Sequence, residues 1–133
     1  MHHINWLAVI VAGFVGFFPG ALWYSPLMFL KPWSRELEID FTRPRKPRHL
    51  PLILLTGLIL SIVAATVLSL AIDPARGLRH ALLAAGVCAI GLVGTSFGIQ
   101  YLFERRSLTF WAINAGYHLV QFLLIGLALG LMR

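Results

Sequence analysis

Charge is what this sequence has least of. Asp, Glu, Lys and Arg make up 12% of its 133 residues, well under the roughly one quarter usual in a soluble domain. Acidic residues number 5, and Glu36, Glu38, Asp40, Asp73 and Glu104 all sit in or beside polar connections. With no carboxylate inside an apolar run, ion-coupled transport through an acidic relay is disfavoured, because such relays place Asp or Glu within the membrane. The lone cysteine, Cys88, lies in the middle of an apolar run. It has no partner for an intrachain disulfide and reads as a small hydrophobe. Also missing are a phosphate-cradling glycine loop, H-E-x-x-H, C-x-x-C and a G-x-S-x-G elbow. No catalytic group, metal site or cofactor is therefore expected.

What the chain does have is apolar length. Hydrophobic residues make up 59% of it, more than so little charge could keep in water. Four apolar runs stand out, at residues 4–30, 51–72, 78–103 and 108–132. Each meets the roughly 20 residues needed to cross a hydrocarbon core about 30 Å thick. Strands would show alternation over about 9–11 residues, and none is present. Lipid leaves no water for unpaired backbone groups, so helix is the remaining choice. The expected fold is all-α: one domain over residues 1–133, a polytopic antiparallel bundle of four transmembrane helices.

The first run lacks the basic start and the cleavage site of a signal peptide, so it reads as an uncleaved transmembrane helix. Pro19 removes one backbone bond within it and should kink it, and Pro26 lies near its end. Pro51 suits the start of the second helix, and Asp73-Pro74 with Gly77 ends it. The connections after the second and third helices are short, which makes those helix pairs antiparallel neighbours. The first connection is longer. In it Trp33, Leu37 and Phe41 recur every four residues, and Ser34 is placed to cap a short helix lying at the membrane interface.

The net charge is +6. A balance of this kind can mean nucleic-acid binding, but here the basic residues occupy short connections and read as topology determinants. Eight of the 11 Lys and Arg residues fall on one side, as Lys31, Arg35, Arg43, Arg45, Lys46 and Arg48 in the first connection and Arg105 and Arg106 in the third. Arg76, Arg79 and Arg133 fall on the other. Loops one and three, with the interfacial helix, are therefore expected in the cytoplasm and both termini outside. Arg43, Arg45, Lys46, Arg48, Arg105 and Arg106 are expected to meet anionic lipid headgroups.

The polar pattern that stands out is in the fourth helix. Asn114, Tyr117, His118 and Gln121 follow at i, i+3, i+4 and i+7, which puts them on one face. An unpaired amide in hydrocarbon costs about 2–7 kcal/mol, so this face must turn to the bundle interior, a wet cavity or another subunit. His118 lies about 15 Å along the axis from Leu108, near mid-membrane. Trp23, Tyr24 and Ser25 near the end of helix one, and Gln100 with Tyr101 on helix three, share the same half of the bilayer. Structural hydrogen bonding is the first reading of this set. A small polar pocket or pathway is the second, and His118 as an axial ligand of haem or a chlorin is the third.

Small residues mark the packing faces. Gly16 and Gly20 lie on helix one. Gly57, Ser61 and Ala65 lie on helix two, and Gly91, Gly94 and Gly98 on helix three. Small-x-x-x-small spacing lets backbones approach closely.

Four stretches form a recognisable set: Asn5-Trp6-Leu-Ala-Val, Gly20-Ala-Leu-Trp-Tyr-Ser-Pro26, Tyr101-Leu-Phe-Glu-Arg-Arg-Ser-Leu108 and Ile113-Asn-Ala-Gly-Tyr-His118. Together they resemble the bacterial integral membrane family catalogued as domain of unknown function 1761. The resemblance covers nearly the whole chain and implies a four-helix protein of the bacterial inner membrane with no assigned activity. Its motif positions here are Trp23, Tyr24, Ser25, Pro26, Asn114, Gly116, Tyr117 and His118. The function expected is that of a non-enzymatic membrane component acting through helix packing, as a homo-oligomer or an accessory subunit. Its partners would be the bilayer and other membrane helices, not nucleic acid. The rival is a small transporter or channel with a polar pathway along helix four.

Overall fold

A computed structural model of the protein describes residues 3–37 and 50–132. Phe41 and the basic run Arg43, Arg45, Lys46 and Arg48 lie outside those residues, so their expected roles at the membrane surface do too. The described chain is helical, and its order is α1 (Trp6–Phe17), α2 (Pro19–Trp23), α3 (Leu30–Leu37), α4 (Leu50–Ala71), α5 (Gly77–Cys88), α6 (Thr95–Phe103) and α7 (Leu108–Leu131). A 3-10 turn (Pro74–Arg76) precedes α5, and a π-helical stretch (Ala89–Gly94) joins α5 to α6. Four stretches are long and apolar enough to cross a membrane: Trp6–Trp23, Pro51–Ala71, Pro74–Phe103 and Leu108–Leu131.

The first span is capped and broken by identifiable residues. Asn5 caps α1, its side chain accepting from the Ala8 amide at 3.2 Å. Pro19 interrupts the hydrogen-bond ladder at Phe18, yet Phe18 keeps helical dihedrals (φ −62°, ψ −35°), so the span continues to Trp23. It stops there, short of the expected residue 30. Pro26 disfavours the helical region at Ser25 before it. Ser25 also folds onto its own turn, donating to the Leu22 carbonyl at 2.6 Å and accepting from the Leu27 amide at 3.3 Å. The chain resumes as α3, with Lys31 and Arg35 exposed and Trp33 partly buried. Ser34 does not cap this helix. It sits inside it, donating back to the Lys31 carbonyl at 3.0 Å.

The third span departs from a plain α-helix at Ala89–Gly94. A wider turn leaves carbonyls without their usual partners, and the Thr95 hydroxyl reaches two of them, Gly91 O at 2.8 Å and Leu92 O at 3.1 Å. The turn into α7 is closed by Arg105 in a left-handed conformation (φ 57°). The Arg106 amide bonds Tyr101 O at 2.9 Å and the Arg105 amide bonds Leu102 O at 3.3 Å, the paired pattern that ends many helices. Ser107 then caps α7 by accepting from the Phe110 amide at 3.0 Å.

Helix α7 is the hub, packing on α1 along one side and on α5 and the π stretch along another. Helix α4 leans on α1, because Gly13 lets Ile62 come so close that a Cβ at Gly13 would lie 2.9 Å from the Ile62 Cα. The short 71–77 connection predicts α4 and α5 as close neighbours. They run antiparallel but touch only lightly, which leaves a groove between them. The core joins Ala8, Val9 and Ala12 of α1 to Ala65 and Leu68 of α4, Ala81 and Ala85 of α5, and Ile125 and Leu129 of α7. The Asn5 amide ties the two ends of the fold together by donating to Met132 O at 2.8 Å.

Candidate functional site

The polar face of α7 turns inward. Asn114, Tyr117 and Gln121 are buried and His118 is partly buried. Asn114 sits between two tyrosines: the Tyr24 hydroxyl donates to its Oδ1 at 2.7 Å, and its Nδ2 donates to the Tyr101 hydroxyl at 3.1 Å. One side chain thus joins α7 to the end of α2 and to α6. The Tyr117 hydroxyl lies 3.3 Å from Gly16 O and 3.4 Å from Phe17 O. Those carbonyls flank the break at Pro19, where the Ala21 amide has shifted to Phe18 O. Tyr117 thereby covers backbone that the proline disturbed.

One turn further along, His118 Nδ1 is 2.6 Å from Gln121 Oε1, Gln121 Nε2 donates to Ser61 Oγ at 3.3 Å, and Ser61 Oγ donates to Gly13 O at 2.8 Å. This relay crosses from α7 through α4 to α1. Aromatic rings surround both clusters. Tyr24 meets Tyr117 edge-on with centroids 5.5 Å apart, Phe97 stacks on Tyr101 at 5.3 Å, and His118 lies 5.3 Å from Phe97 and 5.0 Å from Tyr117.

The other expected members have different surroundings. Trp23 joins the face by donating from Nε1 to Ile113 O at 2.9 Å, and its ring covers Gly116. Ser25 stays within its own turn. Gln100 is exposed and donates to Glu104 Oε1 at 2.7 Å, away from the cluster. Among the small residues, Gly16 faces Ile125 and Gln121, Gly20 faces Tyr117, Gly57 faces Phe17, and Gly98 faces Trp111. The Gly94 carbonyl accepts from Trp111 Nε1 at 2.8 Å. Gly91 is exposed, with nothing near enough for a Cβ to touch.

At the end of the molecule that carries α3, Arg106 donates to Glu36 O at 3.0 Å, lies 3.7 Å from Glu104, and sits over the Phe110 ring at 5.1 Å. That bond puts loops one and three at the same end. Arg105 is exposed. Among the described residues no three His, Cys, Asp or Glu side chains are grouped to hold a metal, and His80 Nε2 is the buried side-chain polar atom without a partner. The roles of Ser61 as a relay and of Tyr101 as the second partner of Asn114 need the helix adjacencies and could not be read from spacing.

A family model described as a protein of unknown function (DUF1761) matches residues 7–130. The chain belongs to that family. The match reaches into all four spans and takes in the tyrosines around Asn114 and the His118–Gln121–Ser61 relay. No curated protein and no solved structure matches the chain. With its four apolar spans this member of the family is a multi-pass membrane protein.

Proposed function

We propose that the chain is a non-enzymatic component of the bacterial inner membrane that works by helix packing, as a homo-oligomer or as an accessory subunit of a larger membrane complex. The observation that carries this reading is how the polar groups are used. The amides of Asn114 and Gln121 each bond two partners inside the chain, as glue between helices does. What remains for partners is apolar surface. In α4 and the third span only 17% of the most apolar window is buried, against 44% in α7. Leu52, Ile53, Leu60 and Val67 of α4 are each at least 60% exposed, and such a helix can accept either lipid or a neighbouring helix.

The excess of basic residues in loops one and three supports a cytoplasmic location for that end, with both termini outside and Arg105 and Arg106 near anionic headgroups. A transport pathway along α7 has less support, because the Asn114 and Gln121 amides that would line it are each engaged by two side chains of the same bundle. The test is purification in mild detergent. An oligomer, or a stable complex with other membrane subunits, is expected. A lone monomer that carries out specific solute uptake in proteoliposomes, with the flux abolished in His118→Ala, would favour the pathway instead.

A further inference from the structure

The relay has a direction, and one hydrogen sets it. Ser61 Oγ and Gly13 O stand 2.8 Å apart. Two oxygens this close need a proton between them, and the carbonyl has none, so Ser61 donates. A hydroxyl has a single proton, so the Gln121 group facing Ser61 at 3.3 Å must be the N–H donor. Gln121 therefore presents Oε1 to His118 at 2.6 Å, and His118 Nδ1 carries the proton. Neutral imidazole then has its lone pair on Nε2. Among the described residues that nitrogen has no hydrogen-bond partner, and unlike His80 Nε2 it is not sealed in by surrounding atoms. A ring held by one nitrogen and open at the other is how a histidine is prepared to meet a ligand.

Its place in the fold narrows the ligand. His118 lies about 15 Å inside the last span, too deep for a phospholipid headgroup. Phe122, one turn away on the same face of α7, floors the groove between α4 and the third span, which has a volume of about 320 Å³. Ala64 and Val93 stand on its opposite walls. One turn beyond these residues on the same helices come Ser61 and Phe97, and the Phe97 ring stands beside His118. The groove is apolar, so it repels charged solutes, and His118 stands one turn of α7 beyond its Phe122 floor.

We propose that His118 Nε2 and this groove bind a lipid-soluble molecule with a hydroxyl on an apolar ring, of the quinol class. The hydroxyl donates to Nε2, the ring lies beside Phe97, and the apolar tail follows the groove past Phe122. The inference goes beyond the packing role and does not depend on it.

The test compares decylubiquinol, kept reduced, with decylubiquinone on the full chain in nanodiscs. Binding is read by calorimetry, and the His118 tautomer by ¹⁵N NMR. The free protein is expected to show protonated Nδ1. The quinol is expected to bind about tenfold more tightly than the quinone, the contribution of one hydrogen bond. His118→Ala should abolish that preference, and His118→Gln, which returns an acceptor near the Nε2 position, should restore part of it. Equal affinities for the two forms, binding of neither, a protonated Nε2 in the free protein, or a haem absorption band lost in His118→Ala would each overturn the proposal. The tautomer and the quinol–quinone comparison are read on the unaltered protein, so a variant that fails to fold does not rescue it.

Discussion

Gln121 and Ser61 meet across the bundle, amide to hydroxyl at 3.3 Å, and Ser61 in turn donates a hydrogen bond to the Gly13 carbonyl at 2.8 Å. This contact ties α7, α4 and α1 at mid-span. It also gives α4 a polar hold on a bundle in which it is otherwise lightly buried.

The contact is expected to be cooperative. Ser61→Ala and Gln121→Leu should each lower stability, and the double variant should lose less than the sum. Interhelical bonds in membranes average about 0.6 kcal/mol and reach about 1.7, so the coupling should fall in that range. A double-mutant cycle read from denaturation in detergent micelles checks it. Strict additivity would mean that the two side chains do not interact.

Two glycines should respond in opposite directions to the same change. A Cβ at Gly13 would lie 2.4 Å from Ile62 Cγ1 and 2.9 Å from its backbone Cα, whereas at Gly86 the nearest such atom is 3.8 Å away. Gly13→Ala should therefore destabilise by about 1–3 kcal/mol through overpacking of α1 on α4. Gly86→Ala, in the interior of α5, should stabilise by about 0.5–1 kcal/mol through the unfolded chain's lost freedom. Melting curves followed by helical circular dichroism separate the two.

Arg105 holds a left-handed conformation (φ 57°) where a helix end usually has glycine. That geometry costs a side-chain-bearing residue about 1–2 kcal/mol. Arg105→Gly should raise the midpoint of thermal unfolding, provided its charge contributes little at the exposed turn. A lowered midpoint would show that the guanidinium has a structural partner worth more than the strain.

The sequence makes the four spans legible because hydrocarbon demands about 20 apolar residues in a row and tolerates few interruptions. It also makes legible the inward turn of the α7 face, because four polar groups on one stripe are too costly to leave against acyl chains. It does not reveal partners. Gln100 and Gln121 look alike in a hydropathy pattern, yet one bonds Glu104 on its own helix and the other crosses to Ser61. Only helix adjacency distinguishes them.

The π stretch is hidden from the sequence for a related reason. In a regular helix Gly91, Gly94 and Gly98 share a face, but the widened turn at Ala89–Gly94 rotates the remainder of the span. Gly91 is left outside while Gly98 meets Trp111. The early end of the first span at Trp23 has a visible signal in Ser25-Pro26, outweighed by the apolar residues Leu27 to Leu30 beyond it.

The central claim is that these helices lie in hydrocarbon with the polar edge of α7 turned away from it. The most direct measurement is paramagnetic broadening in nanodiscs, with one relaxation agent on lipid acyl chains and another in water. The side-chain NH₂ signals of Asn114 and Gln121 are expected to resist both agents, while the methyls of Leu60 and Val67, which are 61% and 62% exposed, broaden strongly with the acyl-chain agent alone. Broadening of the two amides to the same degree as those methyls, or broadening of the α4 methyls by the aqueous agent, would contradict it.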